Sequence, residues 1–173
     1  MKKYLVLAVL SFALFTTSCK KKEVEIIEIV PTLTLKASPD YGDRTFSTRN
    51  KPVLLAEWVM ELKDGPVRII PTVYLEADED DVRYENIKTL YLKIPGLGDS
   101  NKMNPSTEAT NFKPIDVSGN GKYTIQLYGT PDYNFYGFHL TSKLKITYQW
   151  NNALAGEKTD YTKVVEGQTM KLE

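Results

Sequence analysis

Short runs of alternating apolar and polar residues limit the fold of this 173-residue chain more than any other feature. In a β-strand successive side chains point to opposite faces, so alternation predicts a half-buried strand. The run over residues 32–37 alternates in this way, and so does the run over residues 53–62. In the second run one predicted face carries Leu54, Ala56, Trp58, Met60 and Leu62, and the other carries Glu57 and Glu61.

Further alternating runs predict strands over residues 67–75, 87–94, 122–128, 143–150 and 159–165, with a short strand over residues 169–172. The segment Lys63–Pro66 interrupts the pattern, so residues 53–62 and 67–75 are expected to form a hairpin. Residues 136–142 are compatible with one helical turn, and no longer stretch after residue 19 has a helical period. Residues 95–121 are expected to form the longest irregular segment, and a loop of that length is often functional.

Seven or eight short strands separated by turn residues predict an all-β fold. At this size a single antiparallel β-sandwich of the immunoglobulin-like type is expected over residues 31–173. The Cys-Trp-Cys trio of antibody domains is absent, because the chain has one cysteine. A small closed barrel remains an alternative architecture.

The first 19 residues have the composition of an export signal. Lys2 and Lys3 precede an apolar stretch over residues 4–15, and three small polar residues separate that stretch from Cys19. The apolar stretch is shorter than the roughly 20 residues that a transmembrane helix needs.

This segment resembles the signal of bacterial lipoproteins, with Thr16 standing where a leucine is usual. The resemblance implies that residues 1–18 are removed and that Cys19 becomes a lipid-modified N-terminus. Two or three acyl chains, at about 0.8 kcal/mol per buried CH₂, would hold the protein on a membrane. Residues 19–30 are then a tether that ends as an edge strand, and the expected location is the outer membrane of a Gram-negative cell, on its surface or its periplasmic face. An ordinary secretory signal cut near Ser18 is the alternative.

Aromatic residues suggest a binding site. Tyr128, Tyr133 and Tyr136 lie close together in the sequence, and Trp150 lies in the next predicted strand. Tyrosine and tryptophan rings give a large contact area at a small entropy cost, which suits a glycan, peptide or protein ligand. The alternative is that the aromatic residues of this region fill the core.

Two acidic segments are candidate metal sites. Residues 116–121 begin like a calcium loop, but Leu127 occupies the position of the bidentate glutamate. Residues 78–81, with Glu85, form an acidic cluster that also suits a solvated turn. No metal and no cofactor are expected.

Catalysis has little support in the sequence. His139 is the single histidine, and acylation of Cys19 would remove the single thiol. Glu57 and Glu61 would be the carboxylate pair of a hydrolase, but the same spacing occurs on any solvent-facing half of a strand. The 22 basic and 22 acidic residues balance, which does not favour nucleic-acid binding.

A membrane-anchored binding module is therefore the expected function, and an enzyme is not expected. The anchor and predicted architecture are loosely similar to the immunoglobulin-like modules of outer-membrane polysaccharide-utilisation lipoproteins. A structural or assembly subunit that pairs strand edges is the alternative, with residues 23–30 as the donated strand.

Overall fold

The computed structural model describes residues 29–38, 50–77, 87–99, 109–131, 140–151 and 160–172. Cys19, the tether over residues 19–28, the acidic segment 78–81, Glu85, His139, Tyr133 and Tyr136 lie outside these ranges. In chain order the strands are β1 (Thr32–Ala37), β2 (Val53–Lys63), β3 (Val67–Ala77), β4 (Ile87–Ile94), β5 (Gly98–Asp99), β6 (Ala109–Asn111), β7 (Ile115–Val117), β8 (Gly121–Pro131), β9 (Leu140–Asn151), β10 (Asp160–Glu166) and β11 (Met170–Leu172).

The strands form two antiparallel sheets packed face to face, so the prediction of an all-β antiparallel sandwich is confirmed. Sheet A has the order β1-β2-β8-β4-β5. Sheet B has the order β10-β9-β3-β6, with β7 also on β3 and β11 also on β9. Within the described ranges there is no helix of the length and apolarity that a membrane span requires.

The predicted hairpin of β2 and β3 is wrong. The two strands follow each other across the turn at residues 64–66, but β2 pairs with β1 and β8, whereas β3 pairs with β9, β6 and β7. Each strand carries an apolar face that must be covered, and crossing from one sheet to the other covers both faces. We call this end of the sandwich the turn end. The opposite end, where Pro131 ends β8 and Leu140 begins β9, is the loop end.

Alternate residues of the long strands fill the space between the sheets. The predicted inner faces of β4 and β9 are confirmed, because all of their apolar members are buried: Leu90, Leu92 and Ile94 on β4, and Leu144, Ile146, Tyr148 and Trp150 on β9. Leu33 and Leu35 of β1, in sheet A, are also buried in the core. Trp58, at 0% exposure, lies in the same core cluster.

The predicted face of β2 is correct from Ala56 onward and wrong at Leu54. The pairing with β8 shifts register between Leu54 and Ala56, a β-bulge that turns Leu55 into the core and leaves Leu54 half-buried. Gly129 on β8 makes room for the bulge. A Cβ atom at Gly129 would lie 2.5 Å from Leu55 Cδ1, closer than two non-bonded carbon atoms can approach.

The described part of residues 95–121 also differs from the predicted loop, because it contributes β5, β6 and β7. Strands β6 and β7 lie along the edge of β3 and are separated from each other opposite Pro71. The Pro71 carbonyl accepts a hydrogen bond from the Phe112 amide at 2.9 Å, so the ring nitrogen of Pro71 also faces the edge of β3 along which β6 and β7 lie. Proline has no N–H to donate there, which explains the break in the edge strand.

Candidate binding surfaces

The structure places the two described members of the predicted aromatic site on different sheets. Tyr128 lies on β8 in sheet A, and Trp150 lies on β9 in sheet B. Tyr128 is paired with Leu54 near the loop end, whereas Trp150 lies next to the last residue of β9 at the turn end. The two positions are on the order of 30 Å apart along the strand direction. One surface formed by both rings, as the sequence suggested, is therefore not present.

Tyr128 points to the outer face of sheet A, because its neighbours Leu127 and Gly129 face the core. It lies directly opposite Tyr91 of β4. The two rings are stacked, with centroids 5.1 Å apart and planes inclined by 8°. Each ring therefore limits the rotation of the other, and the pair forms a preorganised aromatic surface.

Polar side chains flank the tyrosine pair along the strands. On the loop-end side, Thr89 Oγ1 and Thr130 Oγ1 are hydrogen-bonded at 3.0 Å. On the other side, Gln126 Nε2 donates to Glu57 Oε2 at 2.8 Å. We call the surface formed by these six residues the tyrosine face: Glu57, Thr89, Tyr91, Gln126, Tyr128 and Thr130.

Trp150 lies in the core at 7% exposure, so its predicted role as an exposed ring is not compatible with this position. Its ring stacks with that of Tyr148, with centroids 5.7 Å apart, and with that of Tyr161, with centroids 5.4 Å apart. Lys163 Nζ lies 5.5 Å from the ring centroid in a cation–π contact. Burial raises the pKa of the Tyr148 hydroxyl, which points toward the Pro31 carbonyl oxygen at 3.4 Å.

An open groove of about 400 Å³ lies at the turn end of sheet B, where β3 begins between β7 and β9. Its lining combines the apolar residues Val67, Val117 and Trp150 with the polar residues Arg68, Asp116 and Gln149. The indole Nε1 of Trp150 is buried and has no hydrogen-bond partner among the residues that the structure describes. Because the indole is 7% exposed and stacks with two tyrosines, it offers the groove little aromatic surface.

Asp116, the first residue of the segment weighed as a calcium loop, is paired with Arg68. Arg68 Nε donates to Asp116 Oδ1 at 2.8 Å, and Nη2 donates to Oδ2 at 3.2 Å. These hydrogen bonds hold the pKa of the Asp116 carboxyl below its ordinary value. Asn120 Oδ1 accepts a hydrogen bond from the Gly65 amide at 2.8 Å, so it stabilises the turn at residues 64–66. The described ranges contain no group of three residues suited to hold a metal ion.

The sequence indicated Tyr128 but not Tyr91, Thr89 or Gln126. Tyr91 lies between Leu90 and Leu92, which face the core, so alternation did place it on the outer face. The sequence could not show that Tyr91 pairs with Tyr128, because that contact depends on the register between strands far apart in the chain.

No family model matches the chain, and no curated protein sequence matches it. Among solved structures, the chain is similar to AvmM, which catalyses macrocyclization in alchivemycin A biosynthesis. The two sequences are 14% identical, the match covers 83% of this chain and 85% of that chain, and the TM-score is 0.34. It is similar to AAF fimbriae of enteroaggregative Escherichia coli, with 10% identity, coverage of 83% and 100%, and a TM-score of 0.34. It is also similar to self-complemented MyfA, the major subunit of Myf fimbriae from Yersinia enterocolitica, with 8% identity, coverage of 82% and 98%, and a TM-score of 0.35. At these identities and TM-scores the likenesses assign the chain to no family.

Proposed function

We propose that the protein is a membrane-anchored lipoprotein whose β-sandwich presents a binding surface to a glycan, a peptide or a partner protein. Acyl chains on Cys19 hold it on the outer membrane, at the cell surface or the periplasmic face, and residues 19–30 form the tether. The proposal assigns it no catalytic role, no cofactor and no metal.

The observation that carries this proposal is that the chain enters β1 at one end of the sandwich and Tyr128 lies near the other. Val30 and Pro31 lead into β1 at Thr32, which is opposite Lys63 at the turn end. Tyr128 lies near the loop end, on the outer face of sheet A. A tether attached at the turn end therefore directs Tyr128 away from the membrane, where a ligand can reach it.

Assembly through strand edges is the second candidate, and the edge of sheet B supports it. Among the described strands, β10 pairs with β9 alone. Its side chains Tyr161 and Val164 are exposed, and so are Ile29 and Val30 near β1. An edge strand with exposed apolar side chains can accept a further strand.

Binding by the full chain, purified in detergent, tests the proposed function. A glycan array and a pull-down from outer membranes supply the ligands, and the variant Tyr128→Ala is compared with Tyr74→Ala. Tyr74 is a half-buried tyrosine on the outer face of sheet B, so its removal is a matched control.

We expect a ligand whose binding is weakened by Tyr128→Ala and unchanged by Tyr74→Ala. If both experiments yield no ligand, or if removing Tyr128 leaves binding intact, the binding function at this end is wrong. Assembly through β10 would then be the better account, and concentration-dependent oligomers that are lost on Val164→Lys would support it.

A further inference from the structure

We propose that the tyrosine face is a binding site for a neutral oligosaccharide. The inference rests on the proposed binding function and specifies its ligand and its residues. The site lies on the outer surface of sheet A, on adjacent strands β4, β8 and β2.

The stacked pair of Tyr91 and Tyr128 supplies the apolar part of the site. The C–H groups of a pyranose ring pack well against an aromatic ring, because the ring contributes contact area with few torsions to immobilise. The near-parallel stacking at 5.1 Å holds both rings in place before a ligand arrives. Less side-chain entropy is then lost on binding.

The polar side chains beside the rings have the donors and acceptors that sugar hydroxyls need. The Thr89–Thr130 pair offers two hydroxyl groups, each of which donates and accepts. The Gln126–Glu57 pair offers amide and carboxylate groups on the opposite side of the rings. The order along β8 is Thr130, Tyr128, Gln126, a span of roughly 13 Å that suits a short oligosaccharide.

The charges near the site favour a neutral ligand over an acidic or basic one. Gln126 lies in register with Glu57 on one side and Lys93 on the other. One carboxylate and one ammonium group therefore lie on either side of the same amide. A strongly charged ligand would meet a like charge as well as an opposite one.

The position of the site in sheet A disfavours a peptide bound as an added strand. Tyr128 lies on β8, which is hydrogen-bonded to β2 on one side and to β4 on the other. Its backbone therefore offers no free edge to an incoming strand, which strand addition requires. The recognition groups on this face are rings, hydroxyls and an amide, with a carboxylate and an ammonium group beside the amide.

The test is a glycan array that carries neutral gluco-, manno- and xylo-oligosaccharides beside sulfated and uronic-acid oligosaccharides. It is probed with the full chain in detergent, and the affinity of each hit is then measured by calorimetry. We expect binding to neutral members, and an affinity loss of roughly tenfold in Tyr128→Ala, which corresponds to the removal of an aromatic contact of about 1.4 kcal/mol.

Three further variants separate recognition from stability. Tyr91→Ala should also weaken binding, whereas Tyr128→Phe, which keeps the ring, should retain most of it. Gln126→Leu should weaken binding because it removes the amide, although the side chain keeps a similar volume. Tyr74→Ala should bind like the unmodified protein, and a melting curve of each variant shows whether it is folded.

Several results would overturn the inference. Binding to acidic oligosaccharides only, loss of binding in Tyr74→Ala as large as in Tyr128→Ala, or no binding to any neutral oligosaccharide would each contradict a neutral-glycan site. If the array shows no binding but a protein captured from outer membranes depends on Tyr128, the glycan inference fails while the proposed binding function stands.

Discussion

The indole Nε1 of Trp58 donates a hydrogen bond to the backbone carbonyl oxygen of Gln168 at 2.8 Å. Trp58 lies on β2 in sheet A, and Gln168 lies between β10 and β11 at the edge of sheet B. Gln168 Oε1 also accepts a hydrogen bond from the Ala37 amide at 3.1 Å. One residue at the edge of sheet B thereby covers an edge amide of sheet A and gives the buried indole its partner.

Two replacements of Trp58 should separate the contribution of its hydrogen bond to stability from the contribution of its packing. Trp58→Phe keeps most of the ring but leaves the Gln168 carbonyl without its donor, so we expect a loss of about 1–3 kcal/mol in the free energy of unfolding. Trp58→Ala also empties a fully buried site, and the expected loss is about 3–5 kcal/mol. Denaturant unfolding measures both losses. Equal losses in the two variants would mean that the indole hydrogen bond carries the whole contribution and that packing carries none.

Calcium should leave the melting temperature nearly unchanged. The Asp116 carboxylate accepts hydrogen bonds from Arg68, and the side-chain Oδ1 of Asn120 accepts one from the Gly65 amide. Neither group can therefore bind calcium without breaking a hydrogen bond. A calcium site filled at 100 times its dissociation constant would add about 2.7 kcal/mol of stability. Thermal melting with calcium and with a chelator makes the comparison. A clear rise with calcium that disappears in Asp116→Ala or Asp80→Ala would refute this reading of the two acidic segments.

Stability should fall at acidic pH through two exposed ion pairs. Hydrogen bonds from Lys143 and Arg68 lower the pKa values of Glu166 and Asp116. A carboxyl group whose folded-state pKa is lowered stabilises the fold above its unfolded pKa, near 4, and this contribution is lost as the pH falls through the folded value.

The melting temperature of a Glu166→Gln, Asp116→Asn variant should therefore depend less on pH below about 4 than that of the unmodified protein. High salt should reduce the difference, because both ion pairs are exposed and screened. Identical acid profiles at low salt would show that these pairs contribute nothing to stability.

The sequence predicted the composition of the core better than the connections between its parts. Alternation correctly assigned Trp58, Leu92 and Tyr148 to the inner faces, because burial of every second side chain is a local property of a strand. It failed at Leu54, where a bulge accommodated by Gly129 shifts the register. A bulge depends on the partner strand, so the pattern of one strand does not reveal it.

The proposed binding surface could be predicted only in part for the same reason. Tyr128 was identified because aromatic residues cluster around it in the sequence, but its actual partner, Tyr91, is brought to it by sheet pairing. Trp150 was grouped with Tyr128 because the next strand follows closely in the chain. The next strand lies in the other sheet, which places the indole in the core at the opposite end.

The central claim is that the sandwich is held at its turn end and presents Tyr128 away from the membrane. Lys51 and Lys63 are exposed residues at the two ends of β2, separated by on the order of 30 Å along the strand. With Cys19 acylated, Lys51→Cys or Lys63→Cys would provide the only free thiol for a fluorescent label. Energy transfer from that label to acceptors in lipid headgroups can then be measured on the full chain reconstituted in vesicles. The account predicts strong transfer from position 63 and weak transfer from position 51. Equal or reversed transfer, or a protein that never associates with the vesicles, would contradict it.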